Sequence, residues 1–314
     1  MVLLTEIILI VLPVFVVIGV GYALRKAGLV GEVFLFQLNR LIYYVALPAL
    51  LFYKIATADF SASFNPRLLA GMIISVVAVF GASFLFARLM GYPEKSQGAF
   101  CQASFRGNIV YFGLAIVYNG YGESGLAIAG ILVGFLVPLY NFLAVVGLLL
   151  PQQNGEHKLG RSFWAYQLAL NPLIIASFIG ILWSFFNIPV PIVLSRSLDI
   201  LTGMSLPLAL IAIGASLSRD KLKGEMIKTS LATVTRLFLA PLITVLTLLL
   251  LGISGLELAV GVILAGAPTA TASYIMAQQL KSDAELSGAI IVMTTLISVF
   301  SYSVILFLLR FYGV

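Results

Sequence analysis

An arginine, a glycine and an asparagine stand together in SFRGNIVYFG, residues 104–113, with long apolar runs on either side. A second polar, helix-breaking stretch, GAPTATAS, occupies residues 266–273. The chemistry these two stretches could do is recognition of an anion. Arg106 brings a permanent cation whose planar fork suits a carboxylate. Asn108 brings an amide, and Thr269 and Thr271 bring hydroxyls. Gly107 permits an unwound backbone, while Pro268 lacks an amide donor and disfavours helix at Ala267. A helix that stops and restarts exposes free N–H groups at its new N-terminus, which attract negative charge. The candidate substrate-binding set is therefore Arg106, Gly107, Asn108, Ile109, Pro268, Thr269 and Thr271. No residue in it is assigned a catalytic or metal-binding role.

Each of these residues also has a structural alternative. A Gly or Pro in a membrane helix often marks only a kink or a close contact. Arg106 could pair with carbonyls at helix ends, and Asn108 could simply cap freed backbone groups. Two breaks at matching places favour functional use, as does the cost of an unpaired cation at membrane depth, at least several kcal/mol.

The depth itself follows from composition. Of 314 residues, 61% are hydrophobic and 10% charged, against about half and about a quarter in soluble proteins. A water-soluble core cannot hide that much apolar surface, so the chain reads as an integral membrane protein. The first apolar run, IILIVLPVFVVIGVGYAL, is followed rather than preceded by basic residues, Arg25 and Lys26. A signal peptide has the opposite order, which identifies a retained helix. The single cysteine, Cys101, excludes an intramolecular disulfide, and the single histidine, His157, leaves no metal cluster. The net charge of +6 sits in short loops between apolar runs, so it points to the membrane surface and not to nucleic acid. No nucleotide-binding loop or cofactor motif is present.

A membrane span needs about 20 apolar residues. The sequence offers ten such stretches, near 4–24, 33–53, 68–90, 97–119, 124–150, 163–186, 192–217, 228–251, 256–280 and 285–309. All are apolar throughout, which favours helices over the alternating strands of a barrel. Trp164 and Trp183 lie 19 residues apart, about 28 Å along a helix, the separation expected of tryptophans at opposite faces of a bilayer. Most basic residues fall in the odd-numbered connections, while Lys54, Arg67, Arg196 and Arg310 fall on the other side. The odd connections are therefore expected in the cytoplasm and both termini outside it. The expected location is the plasma (bacterial inner) membrane.

The chain repeats. Pro13, Gly21 and Pro48 recur as Pro172, Gly180 and Pro207, each 159 positions later. Each half holds five spans, an odd number, so the second half should enter the membrane inverted. The expected fold is all-α: ten transmembrane helices as two inverted five-helix repeats, with discontinuous helices 4 and 9 crossing at the midplane. The first repeat covers 1–150 and the second 163–314, joined by a cytoplasmic linker, 151–162.

Asn39 and Asp199 fall at near-equivalent places in spans two and seven. Asn39 is read as a further cavity-lining residue and Asp199 as a coupling or gating group, with plain solvation near the interface the alternative for both. Arg236, two turns inside span eight, reads as a snorkelling cation. Glu123 and Glu257 begin spans and read as solvated.

The stretches LNRLIYYVALPALLF (38–52), SFRGNIVYFGLAIVYNGYG (104–122), LPLALIAIGASL (206–217) and GAPTATASYIMAQQL (266–280) resemble the auxin efflux carrier family. That family includes plant auxin transporters and bacterial permeases for malate, malonate and related carboxylates. The resemblance spans nearly the whole chain. It implies a four-helix scaffold, a six-helix transport part, organic-anion substrates and a homodimer. The long central loop of the large plant members is absent, which brings the chain nearer the compact bacterial type. Asn108 is followed by Ile109, where the plant proteins carry Asn-Pro, so only the role of the asparagine carries over. The leading expectation is a secondary transporter of small organic anions. A cation- or sodium-coupled symporter of similar architecture is the nearest rival, but it would want carboxylates at the breaks, and none stands there. A solute-binding sensor would need bulkier loops, and an intramembrane enzyme would need a nucleophile–base or metal motif that the spans lack.

Overall fold

The computed structural model describes residues 2–57, 64–152, 172–186, 188–217 and 225–313. Among these residues all regular structure is helical. In chain order the helices are α1 (Val2–Lys26), α2 (Glu32–Leu41), α3 (Leu47–Ala56), α4 (Pro66–Leu89), α5 (Glu94–Phe105), α6 (Leu114–Leu149) and α7 (Pro172–Phe185). They continue as α8 (Ile192–Ser216), α9 (Met226–Val234), α10 (Ala240–Leu250), α11 (Gly255–Ala265), α12 (Ala272–Gln279) and α13 (Ala284–Phe311).

Local sequence explains several boundaries. α4 opens with Pro66 in its first turn, and the Asn65 side chain accepts from the amides of Arg67 and Leu68 at 2.9 and 3.3 Å. α13 opens at Asp283, whose carboxylate accepts from the Leu286 amide at 2.9 Å. Both are N-caps that satisfy otherwise orphaned donors. Two π-helical turns, Ile42–Ala46 and Thr235–Leu239, end two residues before Pro48 and Pro241. A proline cannot donate to the carbonyl four residues back and crowds it, and the wider turn relieves that crowding without ending the helix.

Close backbone contact organises one side of the bundle. A Cβ on Gly21 of α1 would sit 2.2 Å from the Ile211 carbonyl oxygen of α8, and one on Gly214 would sit 1.9 Å from that of Ile18. Only glycine allows this approach. A second contact joins α7 to α3, where a Cβ on Gly180 would meet Ile55 and the Phe52 carbonyl at 3.1 Å.

Among the described residues, seven helical stretches are long and apolar enough to cross a membrane. That is fewer than the ten expected, for local reasons. The 97–119 stretch is divided at Arg106–Asn108, and its second part runs on through a 44-residue helical stretch bent at Gly122. The 256–280 stretch is divided between α11 and α12. The start of the sixth stretch, with Trp164, and most of the linker, with His157, lie outside the described residues. Large apolar side chains face outward, such as Ile200 and Leu250, as expected of surface that meets lipid.

Candidate functional site

α5 ends at Phe105 and helix resumes at Ile109; α11 ends at Ala265 and helix resumes at Ala272. The two gaps lie against each other as a short antiparallel pairing of Gly107 with Thr269. The Asn108 amide donates to the Pro268 carbonyl at 2.7 Å, and the Ala270 amide donates to that of Arg106 at 3.0 Å. Each gap therefore satisfies part of the other's unwound backbone, which a membrane interior requires.

The four carbonyls that close each helix normally lack partners. Here almost all of them find one. In α5, Gln102 accepts from the Arg106 amide, Ala103 from the Thr269 hydroxyl at 2.7 Å, and Phe105 from Arg236 Nη1 at 2.5 Å. In α11, Val262 and Leu264 accept from the Gly266 and Ala267 amides, Ile263 from the Tyr302 hydroxyl at 2.9 Å, and Ala265 from Arg236 Nη2. Arg236 is thus not a snorkelling cation. It is 2% exposed and bridges both helix ends. Each helix C-terminus carries roughly half a negative charge, and a hydrogen bond to a charged group contributes about 1.5–3 kcal/mol. Together these offset a desolvation cost of several kcal/mol.

The N-terminal starts differ. The Asn108 side chain accepts from the Tyr111 amide at 3.2 Å, and the Ser273 and Tyr274 amides fold back onto Ala270 and Thr271. The amides of Ile109, Val110, Thr271 and Ala272 have no hydrogen-bond partner among the described residues. Beside these starts lies a cavity of about 400 Å³, lined by Asn39, Arg40, Tyr43, Tyr44, Tyr111, Thr271, Ala272 and Tyr274, among others.

The sequence candidates separate accordingly. Asn39 and Thr271 line this cavity, although the Asn39 amide also donates to the Leu35 carbonyl at 2.9 Å. Gly107, Asn108, Ile109, Pro268 and Thr269 are buried in the paired gaps behind it. Thr269 is a structural tie: its hydroxyl is taken by Ala103 and its amide donates to Thr294 Oγ1 at 3.1 Å. Arg106 is buried and donates to Asn141 Oδ1 at 2.7 Å and to Met276 Sδ. Tyr43 stands on the cavity wall. Both Arg106 partners are uncharged, so nothing among them neutralises the guanidinium. Asp199 lies elsewhere, in a second cavity of about 390 Å³ with Tyr118, Asn119 and the Lys54–Glu123 ion pair (2.9 Å). Glu257 is not merely solvated, since it accepts from Asn65 Nδ2 at 2.7 Å.

Sequence reading missed Asn141 and Met276, which hold Arg106. An amide inside an apolar stretch was the visible signal for Asn141; Met276 gave none. Among the described residues no cluster of three potential metal ligands occurs.

A family model described as membrane transport protein matches residues 6–306. The chain belongs to that family. It is the family of the auxin efflux carriers that the motifs resemble, and the protein is a membrane transporter, not an enzyme. A protein of Rhizobium meliloti named "Putative malonate transporter" is 29% identical over 97% of this chain and 96% of its own length. An uncharacterised transporter of Methanothermobacter thermautotrophicus is 27% identical over 93% of this chain and 94% of its own. Another from Methanocaldococcus jannaschii is 24% identical over 92% and 94%.

Proposed function

We propose that the transporter is a secondary carrier of small carboxylates, with malonate-sized dianions the first candidates. The observation that carries this reading is the pair of open helix starts beside the cavity, with the un-neutralised Arg106 behind them. Free amides at a helix N-terminus attract an anion, and a guanidinium without a carboxylate partner adds a charge-assisted bond. A solute carboxylate would take the place of the Met276 thioether at Arg106 while its other end met Asn39, Thr271 and the cavity tyrosines. The name of the Rhizobium meliloti relative agrees with this substrate class.

In this reading the chain spans the bacterial inner membrane ten times as two inverted repeats, with both termini outside and the broken helices 4 and 9 crossing at the midplane. The 159-residue offset supports the repeat in three dimensions. It carries Gly21 to Gly180 and Phe52 to Ile211, so the two close contacts exchange into one another. The part holding the crossover moves against a scaffold built around the α1–α8 and α3–α7 contacts, within a homodimer. Asp199, in the second cavity, gates or couples that movement.

The test is uptake of radiolabelled malonate by proteoliposomes containing the purified protein, with thermal stabilisation by a panel of small carboxylates alongside. A ligand that binds only the folded state must raise its stability. Saturable uptake and stabilisation by at least one carboxylate are expected. Stabilisation by cations or neutral solutes alone, with no response to any carboxylate, would overturn the reading.

A further inference from the structure

Arg236 lies about two turns inside its apolar helical stretch, and the carrier reading above gives it no contact with solute. Its placement nevertheless joins three separate elements. The guanidinium comes from the π-helical turn between α9 and α10, and its two terminal nitrogens reach Phe105 at the end of α5 and Ala265 at the end of α11. It also lies flat against the first gap. A Cβ added to Gly107 would sit 3.1 Å from Nη2 and 3.2 Å from Cζ. One rigid planar group therefore fixes the distance between two helix ends whose chain positions differ by 160. Among the described residues neither end has another side chain on its last carbonyl. The starts of the following helices lie only four residues beyond Phe105 and seven beyond Ala265, so their spacing is set by the same clamp.

We propose that Arg236 is the positioning residue of the solute site: its fork locks the C-terminal ends of both broken helices to each other and to α9–α10, holding the open helix starts at a fixed separation and making these elements move as one body. An ammonium cannot do this. It carries the charge but lacks the planar pair of donors that satisfies two carbonyls in fixed geometry. Arg236→Lys keeps the electrostatic compensation and loses the clamp; Arg236→Gln loses both.

The experiment is amide hydrogen exchange on purified full-length protein without solute, followed by malonate titration of the same samples. In Arg236→Lys, exchange of the segments around 105–111 and 264–272 should rise at least tenfold. Exchange in α1, α3 and α8 should stay at the wild-type rate. Arg236→Gln should show the same local loosening or more. Malonate affinity should fall about tenfold in the lysine variant while its melting temperature stays near wild type. Unchanged exchange at both gaps in the lysine variant would overturn the proposal. So would an equal rise throughout the molecule with malonate affinity unchanged, since that marks a general packing role. Only the titration rests on the carrier reading. A wild-type protein that ignores malonate sinks that reading, while the exchange pattern still decides the clamp.

Discussion

At the junction of the two broken helices, the ends that close and the starts that open are treated differently. The closing ends are satisfied from within the chain. Thr269, Tyr302 and Arg236 reach the freed carbonyls of α5 and α11, and Arg236 supplies the positive charge that two helix C-termini attract. The opening starts have the reverse polarity and would attract negative charge, yet among the described residues no carboxylate hydrogen-bonds to them, although Glu32 lines the cavity beside them. Arg106, at the start of the first gap, is a further cation, held by an amide and a thioether. Two buried arginines thus do opposite things. One completes a structure, and the other, in the proposed reading, leaves a charge to be met from outside.

This contrast can be sharpened from the strongest expected effect downward. Arg106→Lys keeps a charge but loses the two-donor fork, so carboxylate affinity should drop tenfold or more, because bonds to charged groups contribute about 1.5–3 kcal/mol. Binding isotherms on the purified variant check it. Tyr302→Phe acts on the closed side, leaving the buried Ile263 carbonyl without its partner. Unfolding free energy should fall by about 1 kcal/mol or somewhat more, with affinity in the folded protein unchanged. A variant that lost affinity instead would blur the division between the two sides. Thr271→Ala, on the open side, should weaken affinity a few-fold, roughly the 0.5–1.5 kcal/mol of a neutral hydrogen bond, and leave melting unchanged. Asp199→Asn, in the other cavity, should leave equilibrium affinity where it was. Any effect it has should appear in the rate of transport, measured as initial uptake at saturating solute.

The sequence made one side of this contrast readable and hid the other. Gly107, Asn108, Gly266 and Pro268 write an interruption into the chain locally, because backbone freedom and a missing donor act at the residue that carries them. The start of each new helix, and the polarity of that start, follow from the same few residues. Apolar length likewise marked the spans, although dividing the chain at the breaks leaves fewer uninterrupted helices than a count of apolar stretches suggests. The closing side depends on distant partners. Arg236 meets carbonyls 131 and 29 residues away, and nothing in its own neighbourhood separates a clamp from a snorkelling side chain. Thr269 failed for a related reason. A hydroxyl beside a break can face a cavity or tie down a helix end, and only the position of Ala103 decides. Asn39 and Asp199, matched in sequence, line different cavities, the separation expected if the proposed inversion of the repeat sends equivalent residues to opposite sides of the junction.

The central claim is that the charge on Arg106 is kept for an incoming anion, whereas that on Arg236 is consumed by the fold. Its most direct test is Arg106→Gln, with malonate affinity and thermal stability measured on the same purified protein. The new amide can still reach the Asn141 region, so melting should stay close to wild type while stabilisation by malonate disappears. A destabilised Arg106→Gln whose folded fraction binds malonate with wild-type affinity would contradict the claim, making Arg106 a second structural arginine.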